Sequence, residues 1–400
     1  MQFTADHATA SPSSFVFDRL GLVIALIIIA AIFIQPFALV RPNRIAATAP
    51  VYIWNALPLL QALVLIVLAL GTALIMALRS KSGVRLGILV ITLIMLAISI
   101  GWSATYLTPT GNNYARVSPG GSLWLMVFAL ALAIGDTLVR LHLRPPSRLV
   151  ALGIFVLLLG VLLYSGVWND VSIFKEYASR RSTFMRALST HAFLAVGSLI
   201  AAFIIATPIG IVIHRVKRIR DAVLSFFNVI QTVPSMALFG ALIAPLAWVG
   251  ANMPGAAALG IAGIGPTPAF IALVAYALLP IVSATVTGLD RVSPSIVDAA
   301  RGMGMTCRQR LFSVELPLAF PVILTGIRIV LVQNIGLAVI AGLVGGGGLG
   351  MFVFQGIAQT ATDLVLLGAL PTVAMASFAA ILLDALIEIS RGHQNLEPVR

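Results

Sequence analysis

Of 400 residues, 60% are hydrophobic and 10% charged, whereas soluble domains carry about 25% charged and roughly 45–50% apolar residues, so a water-facing surface cannot be built from this chain. The net charge of +12 lies in short basic clusters between long apolar runs, which excludes one continuous nucleic-acid-binding face. A single cysteine, Cys307, excludes an intramolecular disulfide and a multi-cysteine metal site.

The five histidines, His7, His142, His191, His214 and His393, show no ligand-like spacing. They read as surface residues, and no metal site is expected.

A helix crossing the hydrocarbon layer needs about 20 mostly apolar residues. Ten segments qualify: 20–40, 54–78, 86–106, 121–139, 149–168, 192–213, 223–249, 269–286, 318–343 and 363–389. The expected fold is therefore an all-α integral membrane protein of about ten transmembrane helices. No Lys or Arg precedes Arg19, and the run 20–40 exceeds the roughly 7–15-residue core of a cleaved signal peptide, so it reads as a retained first span.

Counting Lys and Arg in alternate loops sets the orientation. The two termini and the loops around Arg79, Arg140, Arg215 and Arg301 hold 17 of the 25. The opposite loops hold seven: Arg41, Arg44, Arg116, Lys175, Arg180, Arg181 and Arg186, while Arg328 lies inside a span. Both termini are thus expected in the cytoplasm. The connection 169–191, with Asp170 and Glu176 as partners for its basic residues, reads as an amphipathic stretch on the outer surface.

The chain divides near residue 170, into a five-span extension (1–170) and a second half (171–400). The second half carries Pro208, Pro234, Pro245, Pro280, Pro321 and Pro371. Proline in a membrane helix frees a backbone carbonyl that neighbouring helices or a water-lined cavity must satisfy, which points to the second half as the working part.

Between the eighth and ninth spans, the loop 293–317 is too long for a turn. Ser295 with Asp298 has capping-box spacing, and Ser293 before Pro294 offers an alternative helix start. Gly302 and Gly304 are suited to end that helix, and Thr306 with Gln309 repeats the capping-box spacing before Leu316 and Pro317. The reading is helix, glycine bend, helix. Ile296, Val297, Ala299, Ala300 and Met303 give the first helix an apolar surface outside the membrane, suited to a protein groove or a bilayer surface.

The run Asp298, Ala299, Ala300, three residues, Gly304, nine residues, then Val314, Glu315, Leu316 and Pro317 resembles the EAA loop of binding-protein-dependent ABC importer permeases, EAA-x3-G-x9-I-x-L-P. Asp298 stands in place of Glu and Val314 in place of Ile. The resemblance implies a five-helix type I importer core, with the loop as a coupling helix docking on a cytoplasmic ATPase through Asp298, Ala299, Ala300, Gly304, Leu316 and Pro317. Its implied partners are ABC ATPase subunits, a second permease copy or paralogue, and an external solute-binding protein. The segments 231–239 (QTVPSMALF), 276–281 (YALLPI), 302–306 (GMGMT) and 345–350 (GGGGLG) resemble the osmoprotectant permeases for glycine betaine, choline or carnitine. That likeness covers about residues 190–390; the short members lack the first five spans. Alternatives are another small solute such as an amino acid, an ion-coupled secondary transporter, or a membrane sensor.

Gly345, Gly347 and Gly350 fit G-x-G-x-x-G, but no strand precedes them. None of the three lysines, Lys81, Lys175 and Lys217, stands in a P-loop. ATP and Mg are therefore assigned to the partner ATPase, with no cofactor on this chain and no catalytic role. Gly345, Gly346, Gly347 and Gly348 read as a bend, with a gate hinge as the functional alternative. Gln231, Pro234, Ser235, Gln333 and Asn334 are candidates to line a pathway or to join helices by hydrogen bonds. Arg328 is an intramembrane charge, with Asp384 or Glu388 as its possible partner.

Overall fold

The computed structural model describes residues 18–43, 46–78, 80–109, 111, 112 and 114–392. His7, His393, Arg44 and Arg79 lie outside the described residues. Two compact units are formed, one from the residues up to Leu143 with Leu158–Lys175, the other from Arg144–Leu157 and from Glu176 onward. Among the described residues, nine helices are long and apolar enough to cross a membrane.

In the first unit, α1 (Arg19–Ile34) starts on Asp18, whose carboxylate accepts from the Gly21 amide at 3.3 Å, a side-chain cap for an otherwise orphaned donor. This helix holds 16 residues, shorter than the apolar run 20–40 suggested. Pro36 follows Gln35, which is extended at φ −106° and ψ 144°, because the proline ring disfavours the α conformation in the residue before it. The remaining apolar residues enter β1 (Ala38–Arg41). It is the centre of a three-stranded antiparallel sheet with β2 (Ala49–Val51) and β3 (Arg116–Pro119), pairing Leu39 with Pro50 and Ser118. Between the strands run α2 (Ile53–Ala56), α3 (Leu59–Ala77) and α4 (Ser82–Leu107), and β3 leads into α5 (Gly121–Leu141). Ile24, Ile28, Ile32, Leu65, Met76, Leu89 and Met126 fill the core between these helices. A Cβ on Gly21 would fall 1.8 Å from the Met76 carbonyl oxygen, so the contact between α1 and α3 requires glycine there.

Helix α6 (Pro145–Tyr164) has no buried residue. After α7 (Ser172–Ser179), α8 (Arg181–Arg215) runs 35 residues, absorbing the end of the stretch read as a connection. The apolar run 223–249, read as one span, is broken. Helix α9 (Lys217–Thr232) stops, Val233 is extended ahead of Pro234, and α10 (Ser235–Ala241) and α11 (Ile243–Asn252) follow. Then come α12 (Pro266–Asp290), α13 (Pro294–Gly302), α14 (Cys307–Arg310), a π-helical turn over Leu311–Glu315, and α15 (Leu316–Leu337). A 3₁₀ turn over Ile340–Val344, the glycine run, α16 (Gly350–Ala358) and α17 (Thr362–Gly392) complete the chain.

Helix α12 packs against α8 and α15. Ala202, Ala206, Ala277, Ile281, Val282 and Val330 are buried there, small and branched side chains that let membrane helices approach closely. Large apolar residues such as Leu26, Leu60, Val67, Ile204, Phe226 and Trp248 are exposed, as an apolar solvent requires.

A charge cluster closes one end of the first unit. Asp18 binds Arg85 at 2.8 Å and Arg140 at 2.8 Å, and Arg140 also binds Asp136 at 2.8 Å. The Asp136–Arg140 pair follows from its i, i+4 spacing; the Asp18–Arg85 pair, with Arg85 1% exposed, has no local signature. Burial opposes the charged form of Asp18, but the Arg85 and Gly21 hydrogen bonds and the Arg140 charge outweigh it and hold its carboxyl below the ordinary value of 3.8. A lowered folded pKa gives stability that is present above the unfolded value and lost as pH falls through the folded one. Melting in detergent should therefore be flat above about pH 5 and fall on acidification below about pH 4. Asp18→Ala, which strands Arg85, should cost about 3–5 kcal/mol.

Candidate functional site

Helix α13 starts at Pro294, with Ser293 as the residue before it, so the proline start and not the Ser295–Asp298 box is the one used. Its end is a Schellman motif: the Met305 amide donates to the Ala300 carbonyl at 3.2 Å and the Gly304 amide to the Arg301 carbonyl at 2.9 Å. Gly304 alone takes the left-handed conformation, φ +79°, while Gly302 is the last helical residue. A Cβ on Gly304 would meet nothing within 4 Å, so backbone conformation and not space demands glycine. The Thr306–Gln309 capping box forms as spaced. The Thr306 hydroxyl accepts from the Gln309 amide at 3.3 Å, and Gln309 Oε1 accepts from the Thr306 amide at 2.9 Å.

Burial sorts the six loop candidates. Asp298, Ala299, Gly304 and Pro317 are exposed, Leu316 is half-buried, and Ala300 is 1% exposed. Ala300 is thus turned into the protein while Ala299 faces outward; small apolar side chains suit both faces of so short a helix. Asp298 pairs loosely with Arg301 at 3.3 Å. The exposed large apolar groups of the loop are Ile296 and Met303 on α13 and Phe312 in the π-helical turn, with the thiol of Cys307 also exposed beyond the bend.

Ion pairs flank the loop. Asp290, at the end of α12, binds His214 Nδ1 and Arg220 Nη1, both at 2.9 Å. Glu315, which is 6% exposed, binds Arg310 Nε at 2.5 Å and Arg215 at 3.9 Å. His214 and Arg215 end α8 and Arg220 lies in the first turn of α9.

At the break after α9 an open cleft of about 370 Å³ is lined by Gln231, Thr232, Val233, Pro234, Ser235, Tyr276, Gln333 and Leu337. Four of the five pathway candidates therefore meet. Gln231 Nε2 donates to the Tyr276 carbonyl at 2.9 Å, and the Tyr276 hydroxyl donates to the Val233 carbonyl at 2.6 Å. Asn334 is the exception. It is fully buried and donates to the Ser198 hydroxyl at 2.8 Å, joining α15 to α8.

The glycine run follows the 3₁₀ turn, with Gly345, Gly347 and Gly348 all at φ +74°. It lies against His191, which is 0% exposed and not the surface residue its isolation in sequence suggested. His191 Nε2 lies 3.0 Å from the Ile335 carbonyl, and Nδ1 lies 3.4 Å from the Leu349 amide. A neutral ring protonated on Nε2 satisfies both contacts. Arg328 binds Asp384 at 2.6 Å, and Glu388 instead binds Arg148 at 2.8 Å.

Residues 198–394 match the family described as binding-protein-dependent transport system inner membrane component, and residues 18–174 match ABC transporter permease YehY, N-terminal domain. The osmoprotectant import permease protein OsmW of Salmonella typhimurium is 42% identical over 194 residues, 48% of this chain and 82% of that protein. This chain belongs to the family of binding-protein-dependent inner membrane components. The glycine betaine/carnitine/choline transport system permease protein OpuCB of Bacillus subtilis is 32% identical over 200 residues, 50% of this chain and 83% of that protein. A solved inward-facing structure of the MetNI methionine ABC transporter aligns with a TM-score of 0.45 at 22% identity, over 53% of this chain and 98% of that one. The family inferred from the 293–317 spacing is borne out, as is the all-α, membrane-spanning class. The permease is a translocation component of a transport system.

Hydrogen bonds between membrane helices are worth about 0.6–1.7 kcal/mol each. A double-mutant cycle on Ser198→Ala and Asn334→Ala should give a coupling of about that size in detergent unfolding. Uptake per folded molecule should be unchanged; its loss would return Asn334 to the pathway.

Proposed function

We propose that the permease carries a quaternary-amine osmoprotectant, with glycine betaine as the first candidate, inward across the bacterial inner membrane. An external binding protein delivers the solute, and separate cytoplasmic ATPases, holding ATP and Mg, drive the cycle. The permease pairs with a second copy or a paralogue, and both termini and the 293–317 loop face the cytoplasm. Residues 171–400 form the permease core and residues 1–170 an extension to it. The observation that carries this reading is the capped α13 with its left-handed Gly304, which holds an exposed apolar surface in the spacing of the EAA loop. The 42% identity to an osmoprotectant permease supports the cargo.

Ile296, Asp298, Ala299 and Met303 present the docking surface; Ala300, Gly304, Leu316 and Pro317 shape it. Gln231, Pro234, Ser235 and Gln333 line the pathway. The cleft's lining carries amide, hydroxyl and aromatic groups and no charged side chain, an environment that passes a cation or zwitterion without trapping it in an ion pair. The run 345–348 serves as a hinge of the gate.

Uptake of radiolabelled glycine betaine into proteoliposomes tests this. The complete transporter should show ATP-dependent uptake and the purified chain alone none; uptake by the chain alone would overturn the reading. Ile296→Asp with Met303→Asp removes two exposed apolar anchors, at about 2 kcal/mol for a docking hot spot. Uptake at limiting ATPase should fall roughly thirtyfold, with membrane insertion unchanged. Gly304→Val should act similarly through backbone strain of about 1–2 kcal/mol.

A further inference from the structure

Helix α9 is held in an unusual way. It fully buries only Phe227, with Val223, Leu224 and Ile230 packed part-buried against the same cluster, and its first turn takes no part in that packing. Its two ends are non-helical joints, Val216 at φ −106°, ψ 74° and Val233 at φ −67°, ψ 127°. Between them run 16 residues, a rigid rod of about 24 Å. Polar contacts fasten this rod to α12 near both ends. Arg220 Nη1 binds Asp290 Oδ2 at 2.9 Å, beside the start of the coupling loop. Gln231 Nε2 binds the Tyr276 carbonyl at 2.9 Å, at the cleft. Asp290 also binds His214 at 2.9 Å, on the other side of the Val216 joint, so one carboxylate pins the elbow between α8 and α9.

We infer that Arg220 and Asp290 are positioning residues that strap α9 to α12, so that a displacement of the 293–317 loop is delivered to the cleft wall at 231–235. The inference rests on the coupling role proposed for that loop. The loop continues directly from α12, and the first turn of α9, hinged at Val216 and outside the apolar packing, would lag behind α12 without the ion pair. Neither residue lines the cleft; their effect is on the transfer of motion. Arg220 is 31% and Asp290 37% exposed, so replacing either leaves no buried charge stranded.

The test is hydrogen–deuterium exchange over residues 228–240 in the full transporter, permease with its ATPase subunits, compared with and without ATP and vanadate. ATP hydrolysis is recorded on the same samples. In the parent, nucleotide trapping should change exchange at the 233–234 break. In Arg220→Ala that change should shrink about fivefold, the worth of one partly exposed ion pair, while hydrolysis persists. Arg220→Lys, which keeps the charge, should restore it. An undiminished change in Arg220→Ala, or no restoration by Arg220→Lys, would overturn the strap. A parent that hydrolyses ATP but shows no nucleotide response would overturn the coupling reading itself, and the strap with it.

Discussion

A backbone carbonyl inside a hydrocarbon layer has no water to turn to, and each one left unpaired costs several kcal/mol. The break at Val233 and Pro234 exists because this constraint is met there. The Tyr276 hydroxyl supplies the Val233 carbonyl with a donor, and Gln231 in turn supplies the Tyr276 carbonyl. With both carbonyls satisfied, α9 can end in mid-path and leave an opening between itself, α10, α12 and α15. The cleft, the joint at Val233 and the short helices after it follow from that exchange of donors.

The opposite end of the same helices is organised by charge. Asp290 and Glu315 bracket the loop, and three of their partners, His214, Arg215 and Arg220, come from the stretch around the junction of α8 and α9, while Arg310 lies within the loop. The loop is therefore fastened to four helices although it is continuous with only two. Glu315 and Arg310 are nearly excluded from solvent, where an unpaired member would be far more costly than the pair is stabilising. The arrangement fixes position more than it adds stability.

What was legible in the sequence is what local rules determine. The Thr306–Gln309 box, the proline start at 294 and the Asp136–Arg140 pair involve neighbours three or four residues apart, so their spacing is their geometry. Arg328 found Asp384 because an intramembrane charge has few partners to choose from. Other features were hidden for physical reasons. Hydropathy cannot distinguish a strand from the tail of an apolar helix, so residues 38–40 of β1 read as the end of a span, with only Pro36 to signal the change. The Asp18–Arg85 pair joins residues 67 apart, and His191 is satisfied by two backbone groups from a distant part of the chain. Ala300 and Ala299 are chemically alike; only the packing of α13 decides which of them faces outward.

The π-helical turn over Leu311–Glu315 gives the loop's fixed spacing a meaning beyond length. Pro317 lacks the amide that would continue the ordinary ladder, and the wider turn absorbs the mismatch without interrupting the rod from Cys307 to Leu337. Each residue of a helix advances the direction of its side chains by about 100°. Removing one residue from the α-helical part of this interval would shorten the loop by little more than an ångström, yet it would rotate everything before the deletion by more than a quarter of a circle about the axis of α15. The nine-residue interval after Gly304 is therefore a setting of angular phase, which decides where the exposed side of α13 is aimed.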